Sequence, residues 1–307
     1  MADLAPYARW IKRELAADPP RVPSLLVTVY GDALVPHGGW AWLSTLFRLL
    51  AGFGVNERAV RTGVFRVARD GWLEAETLGR RSRYGVTAAS AARFAHAFHR
   101  VYDVPFDPWD GEWEALVAHE GLGPAARRHL RDELGWAGFA PFAPGVFLRP
   151  ARHDGALSRI VEALGVTRAV TTFEAREADA AGIGGLAARA ETVYALSALA
   201  GEYRRFLARY SGVADALERT RPSPAQAFAI RTLLVHAYRR VRLRDPQLPR
   251  AVLAADWPGA DAYALSRAIH RATHDLAEAH LADTVALDGD ALPPLGIAHA
   301  RRFADGA

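Results

Sequence analysis

The chain has 307 residues, a net charge of +4 and no cysteine, which excludes disulfides and thiolate metal sites. That length suits two or three domains at roughly 100 to 200 residues each. The opening residues lack the basic, apolar and small-residue succession of a signal peptide, and no apolar run approaches about 18 residues, so no leader or membrane span is expected and the cytoplasm is the expected location.

In chain order, Pro23 to Leu34 and Trp40 to Ala51 read as helices, separated by Pro36, Gly38 and Gly39 and ended by Gly52 and Gly54. A third helix opens at Asn56, a good N-cap, and buries Val60, Val64 and Val67 at i, i+4 and i+7. Arg58, Arg61, Thr62 and Arg69 fall off that stripe, where they can meet a partner. Gly71 stops the helix, and Trp72 to Leu78 and Ser82 to Thr87 read as strands around a Leu78-Gly79-Arg80-Arg81 turn. Arg80, Arg81 and Arg83 crowd its tip. Three helices and a hairpin make a winged helix-turn-helix, whose recognition helix enters the DNA major groove while the wing adds backbone contacts. Arginine can bond guanine edges twice or neutralise phosphate. The plain alternatives are an arginine face that merely solvates its helix, or a winged helix that binds protein.

Basic residues outnumber acidic ones in 1–104 and in 186–307, whereas 105–185 is net acidic. Lys12 is the single lysine. A genome rich in G and C produces the same arginine bias, so placement carries more weight than number.

Ala88 to Tyr102 reads as a helix, with a boundary at Val104, Pro105 and Pro108. Trp113 to His119 then reads as a strand, Pro124 to Leu134 as a helix, Gly138 to Leu148 as extended chain broken by Pro141 and Pro144, Asp154 to Leu164 as a helix and Ala169 to Ala175 as a strand. A β-α-β-β-α-β order makes a small ferredoxin-like sandwich. From Leu186 helices dominate, interrupted at Arg221 to Pro224, Asp245 to Pro249 and Trp257 to Gly259, and the stretch after Leu281, with Pro293 and Pro294, is expected to fray. The expected class is α+β: a winged helix-turn-helix in 1–104, a ferredoxin-like sandwich in 105–185, and a helical domain with an effector or dimer role in 186–307.

Candidate chemistry is sparse. His96 with His99, and His270 with His274, share helix faces at spacings that can begin a zinc site, but neither pair sits in HExxH. His236 reads as a satisfied or interfacial histidine. Gly182, Gly184 and Gly185 form a turn, and neither GxxxxGK[ST] nor GxSxG occurs. No catalytic residue, metal or cofactor is therefore assigned, and no enzyme is expected. Tyr238, Arg239, Arg240, Arg242 and Arg244, with Trp257, offer cations and rings that suit the phosphates and adenine of a coenzyme A; the alternative is a solvated helix face or a dimer contact.

Several of these segments together resemble a known family. SLLVTVYGDAL (Ser24 to Leu34), ERAVRTGVFRVARDGWL (Glu57 to Leu73) and GRRSRYGVT (Gly79 to Thr87) look like the N-terminal domain of the phenylacetic-acid catabolon repressors, the PaaX family. WDGEW (Trp109 to Trp113) and GWAGFAPFAPGVFLRP (Gly135 to Pro150) resemble its central domain; LLVHAYRRVRLRDPQLP (Leu233 to Pro249) and ADWPG (Ala255 to Gly259) resemble its C-terminal domain. The likeness covers approximately residues 21–281. It implies a homodimeric transcriptional repressor with a Cas2-like central domain, bound to double-stranded operator DNA and released by an acyl-coenzyme A such as phenylacetyl-coenzyme A. Arg61, Thr62, Arg66 and the wing's Gly79 to Ser82 are the positions it carries over. Gly63 stands where the family usually has alanine and Val67 where leucine is common, and a helical glycine costs about 1 kcal/mol, which predicts a slightly less stable reader. The Cas2 likeness also raises a metal-dependent nuclease, but the corresponding strand ends at Ala118, His119 and Glu120 without a matching aspartate.

Overall fold

The structure, a computed structural model, describes residues 5–105, 109–176, 186–296 and 302–303. Pro108 and the glycines expected to form a turn, Gly182, Gly184 and Gly185, lie outside the described residues. In chain order it runs α1 (Ala5–Ala17), α2 (Val22–Val29), β1 (Trp40–Trp42), α3 (Leu43–Ala51), α4 (Glu57–Arg69), β2 (Leu73–Leu78), β3 (Arg81–Val86) and α5 (Ala88–Tyr102). It continues through β4 (Glu112–Ala118), α6 (Pro124–Trp136), β5 (Ala140–Ala143), β6 (Val146–Pro150), α7 (Ala156–Ala163), β7 (Val170–Arg176), α8 (Leu186–Val193), α9 (Leu196–Arg219), α10 (Pro224–Arg242) and α11 (Gly259–Ala286). Two compact units emerge, one of Met1–Val104, Arg204–Leu243 and Ala260–Ala307, the other of Pro105–Tyr203 and Arg244–Gly259. Residues 204–243 and 260–307 fall in the first unit, and 186–203 and 244–259 in the second.

In the first unit, α2 passes into a wider π turn over Tyr30–Leu34 that turns Asp32 inward. The stretch Trp40 to Ala51, expected as one helix, is strand β1 followed by α3. Gly38 and Gly39, at φ 92° and 76°, redirect the chain, and β1 then pairs antiparallel with β3 (Trp40 opposite Gly85, Trp42 opposite Arg83). Glycine is required opposite Trp40, because a Cβ at position 85 would lie 2.3 Å from the indole. The sheet order β1-β3-β2 with α2, α3 and α4 is a winged helix. The Asn56 side chain caps α4 by accepting from the Ala59 amide at 2.9 Å, and Val60, Val64 and Val67 are buried as their spacing predicts. Gly63 is buried too: a Cβ there would meet Val22 Cγ1 at 2.7 Å, so α4 and α2 touch where glycine leaves room.

Helix α10 is buried along most of its length, with Phe228, Ile230, Leu234 and Tyr238 in the core, and begins with a Ser223–Gln226 capping box. At the centre of the unit, buried Asp32 accepts from Arg231 Nε at 2.7 Å, Tyr102 Oη at 2.7 Å and Arg302 Nη1 at 3.1 Å, while Arg231 also donates to Glu278 at 2.6 Å. The described chain after Leu281 does not fray. Helix α11 runs on to Ala286, His37 donates to the Pro293 carbonyl at 2.6 Å, the Gly296 amide donates to the Pro36 carbonyl at 2.9 Å, and Phe303 is wholly buried. Backbone and acid groups of this tail are satisfied by the winged helix, which is what holds a proline-rich segment in place.

The second unit follows the β-α-β-β-α-β order, in an antiparallel sheet β5-β6-β4-β7. Leu116, Phe147 and Val170 from the sheet meet Leu130, Leu134, Leu157 and Val161 from α6 and α7. The extended stretch expected over Gly138 to Leu148 is the β5–β6 hairpin, turned at Gly145 (φ 75°), with Pro141 tolerated because β5 is an edge. Buried Arg149 donates to Glu114 at 2.7 Å and Asp154 at 2.6 Å. Arg152 reaches the Pro246 carbonyl at 2.9 Å, and Tyr203 Oη donates to Asp245 at 2.6 Å, which ties 244–259 to this unit.

Candidate nucleic-acid interface

Burying Val60, Val64 and Val67 leaves the opposite face of α4 to solvent, and Arg58, Arg61, Thr62, Arg66 and Arg69 are all exposed there. Arg61 lies over the Phe47 ring at 4.8 Å and 4.0 Å from Glu57, so an aromatic platform on α3 orients it while its charge stays weakly compensated. Thr62 Oγ1 donates to the Arg58 carbonyl at 3.0 Å, and Arg69 lies 3.7 Å from Asp70. Arg58 and Arg66 have no carboxylate partner among the described residues. Such a face presents fork-shaped donors that match guanine edges and phosphates.

The wing divides its arginines. Leu78 pairs with Arg81, leaving the two-residue turn Gly79-Arg80, with Gly79 at φ 63°. Arg80 stands exposed at the tip with no ion-pair partner among the described residues. Arg83 donates to its cross-strand neighbour Glu76 at 2.6 Å and lies 4.9 Å above Trp40. Arg81, expected at the tip, is the first residue of β3 and is held internally: it donates to Asp288 Oδ1 at 2.7 Å and lies 4.0 Å over the Trp42 ring. Asp288 also accepts from Ser44 at 2.7 Å, from Thr45 and from Arg48, while Trp42 donates to Asp290 at 2.6 Å. Burial pushes the Asp288 carboxyl up, but the hydroxyls and the two guanidiniums outweigh it and hold it below the usual carboxylate range. The sequence gives no sign of this clamp, because Asp288 and Arg81 are 207 residues apart.

The remaining candidates take other positions. Tyr238, Arg242 and Trp257 are buried, Arg239 donates to Thr28 at 2.8 Å and to Ser24 at 2.9 Å, and Arg240 donates to Asp18 at 3.0 Å. Neither a solvated helix face nor a continuous cationic strip describes them. His236 is buried, 2.8 Å from Thr28 Oγ1, and burial with nearby Arg239 brings it down to about 3. His270 is brought down to about 4 by burial despite Asp32 at 3.6 Å, and its ring stacks on His274. His99 pairs with Asp103 at 3.0 Å, a contact within its own helix region that involves no His96 atom.

Three family profiles match in chain order: PaaX-like protein over residues 21–90, the PaaX protein central Cas2-like domain over residues 107–184, and the PaaX-like protein C-terminal domain over residues 194–283. Transcriptional repressor PaaX of Escherichia coli (strain K12) is 32% identical over 296 residues, 96% of this chain and 93% of that protein. The chain belongs to the PaaX family. Among solved structures, the uncharacterised protein Rv0674 from Mycobacterium tuberculosis matches with a TM-score of 0.52 and 24% identity, covering 84% of this chain and 97% of that one, a likeness of fold alone. In the PaaX central domain, the strand end raised for nuclease chemistry holds exposed Glu120 and an exposed His119 bonded to Thr171 at 2.7 Å. The metal-capable His and carboxylate group among the described residues, Asp110, Glu112 and His153, sits instead by the beginning of β4. No described helix is long and apolar enough to cross a membrane.

Proposed function

We propose that this protein is a cytoplasmic, homodimeric repressor that binds double-stranded operator DNA through α4 and the wing and catalyses no reaction. The observation that carries the reading is the exposed face of Arg58, Arg61, Thr62, Arg66 and Arg69 opposite a fully buried valine stripe, in a winged helix. The similarity to a protein named as a transcriptional repressor over 96% of the chain supports it. A single α4 reads few base pairs, and two-fold symmetry doubles the readout on half-sites about one helical turn apart. Arg80 and Arg83 serve phosphates at the wing, with Arg81 joining them when it leaves Asp288.

The controlled genes in this reading degrade aromatic acids, and the releasing ligand is an aryl-acyl thioester, phenylacetyl-coenzyme A first. Tyr238, Arg239, Arg240 and Arg242 of the first unit remain its proposed contacts, reached after the internal partners of the arginines are exchanged for phosphate. Release requires that the thioester prefer the DNA-free conformation, and about 1.4 kcal/mol of preference shifts operator binding tenfold. Transcription in vitro from the protein's own promoter and from promoters of aromatic-acid degradation genes tests this. The protein is expected to stop transcript synthesis, and phenylacetyl-coenzyme A, but neither coenzyme A nor phenylacetate, to restore it. Unchanged transcription from every template rejects repression; repression that no thioester relieves rejects the effector alone.

A further inference from the structure

One residue on the α4 face cannot make the contacts its neighbours make. Phe65 is 68% exposed, on the side of the helix opposite Val60 and Val64. It stands four residues after Arg61, three after Thr62 and four before Arg69, so all three share its face. A phenyl ring has no donor or acceptor for a base edge or a phosphate. The apolar feature that a DNA major groove does present is the thymine C5-methyl group, which side chains such as Phe contact. Arg58, Arg61 and Arg69 lie on the same side of α4 as the phenyl group, so their like charge keeps a second copy of this face away. Single exposed apolar side chains are ordinary on protein surfaces. This one is singular because it occupies the centre of the cationic face that would lie in the groove.

We propose that Phe65 is a specificity-determining residue that reads a thymine methyl in each operator half-site. The inference rests on the DNA-binding reading and adds a base preference that arginines alone do not supply. The duplex bound best by the full-length protein is selected from a randomised pool, and each thymine is replaced in turn by deoxyuridine, which removes the methyl and nothing else. One position per half-site is expected to weaken binding about fourfold, the effect of one buried methyl. Phe65→Ala is expected to bind the thymine and uracil duplexes alike at that position, and Phe65→Leu to restore part of the difference. A selected duplex insensitive to every thymine replacement overturns the proposal while leaving operator binding intact. So does a Phe65→Ala protein that keeps the wild-type thymine-to-uracil ratio, including one that instead loses self-association, which would assign the ring to a protein contact. Failure to select any sequence rejects the DNA reading itself.

Discussion

At the scale of single residues, the wing shows how charge and availability separate. Arg80 and Arg81 are adjacent in sequence, yet Arg80 is exposed at the turn whereas Arg81 is bonded to Asp288 and stacked on Trp42. Arg80→Ala is therefore expected to lower the slope of log K against log salt by about one and to weaken cognate and random DNA alike. Arg81→Ala should change that slope less and lower the melting temperature more, because Asp288 loses a partner inside the protein. Salt titrations and melting curves of the two variants check this; equal slope changes with equal melting temperatures would mean that the clamp does not hold Arg81. Asp288 itself titrates below the ordinary carboxylate range, so its stabilisation is complete above that range and disappears as pH falls through the lowered value. The arginine face of α4 was legible in the sequence because an amphipathic period separates buried from exposed positions. The clamp was not, because nothing local links Asp288 to Ser44, Arg48 and Arg81.

At the scale of elements, the approach of α2 to α4 decides what Gly63 does. Helix propensity alone predicts that alanine there would stabilise by about 1 kcal/mol. The structure predicts the opposite sign, since the added Cβ would sit 2.7 Å from Val22 Cγ1, and overpacking typically costs about 1–3 kcal/mol. Gly63→Ala should lower the melting temperature, and Val22→Ala added to it should recover more stability than Val22→Ala loses alone. A more stable Gly63→Ala protein would mean that the two helices separate without cost. Long, strongly periodic elements such as α4, and the β-α-β-β-α-β order of the second unit, are readable because each repeats its pattern several times. Strand β1 is not: three residues, Trp40 to Trp42, run directly into the amphipathic α3, and their extended form depends on Gly85 across the sheet.

At the scale of the whole molecule, ionisable groups are buried where α2, α10, α11 and the tail of the first unit meet. Asp32 and Glu278 titrate low, Glu278 at about 2, with burial raising it and His37 and Arg231 overcoming that, so their stabilisation is lost only as pH falls below about 4.5. His236 and His270 act earlier. Burial holds them neutral to about 3 and about 4, so the unfolded chain takes up protons first once pH falls below about 6.5. Each then removes roughly 1.4 kcal/mol of stability per pH unit. The melting temperature should drop steadily from pH 7 to pH 5, with a shallower drop in His236→Gln; a flat profile, or an unchanged slope in the variant, would contradict burial of the neutral ring. Which elements cover each helix of 186–307 was equally hidden, because helical periodicity reports which face is buried and not which partner buries it. The central claim, that the exposed arginine face of α4 reads DNA sequence, meets its most direct test in fluorescence-anisotropy titrations of a labelled promoter duplex and a scrambled duplex of the same composition, with wild-type and Arg61→Ala protein at several salt concentrations. Preference for the promoter by a factor of about 10³ or more, falling by about 1–3 kcal/mol in folded Arg61→Ala, is the expected result. Equal affinity for both duplexes, or an Arg61→Ala protein that keeps the full preference, would contradict it.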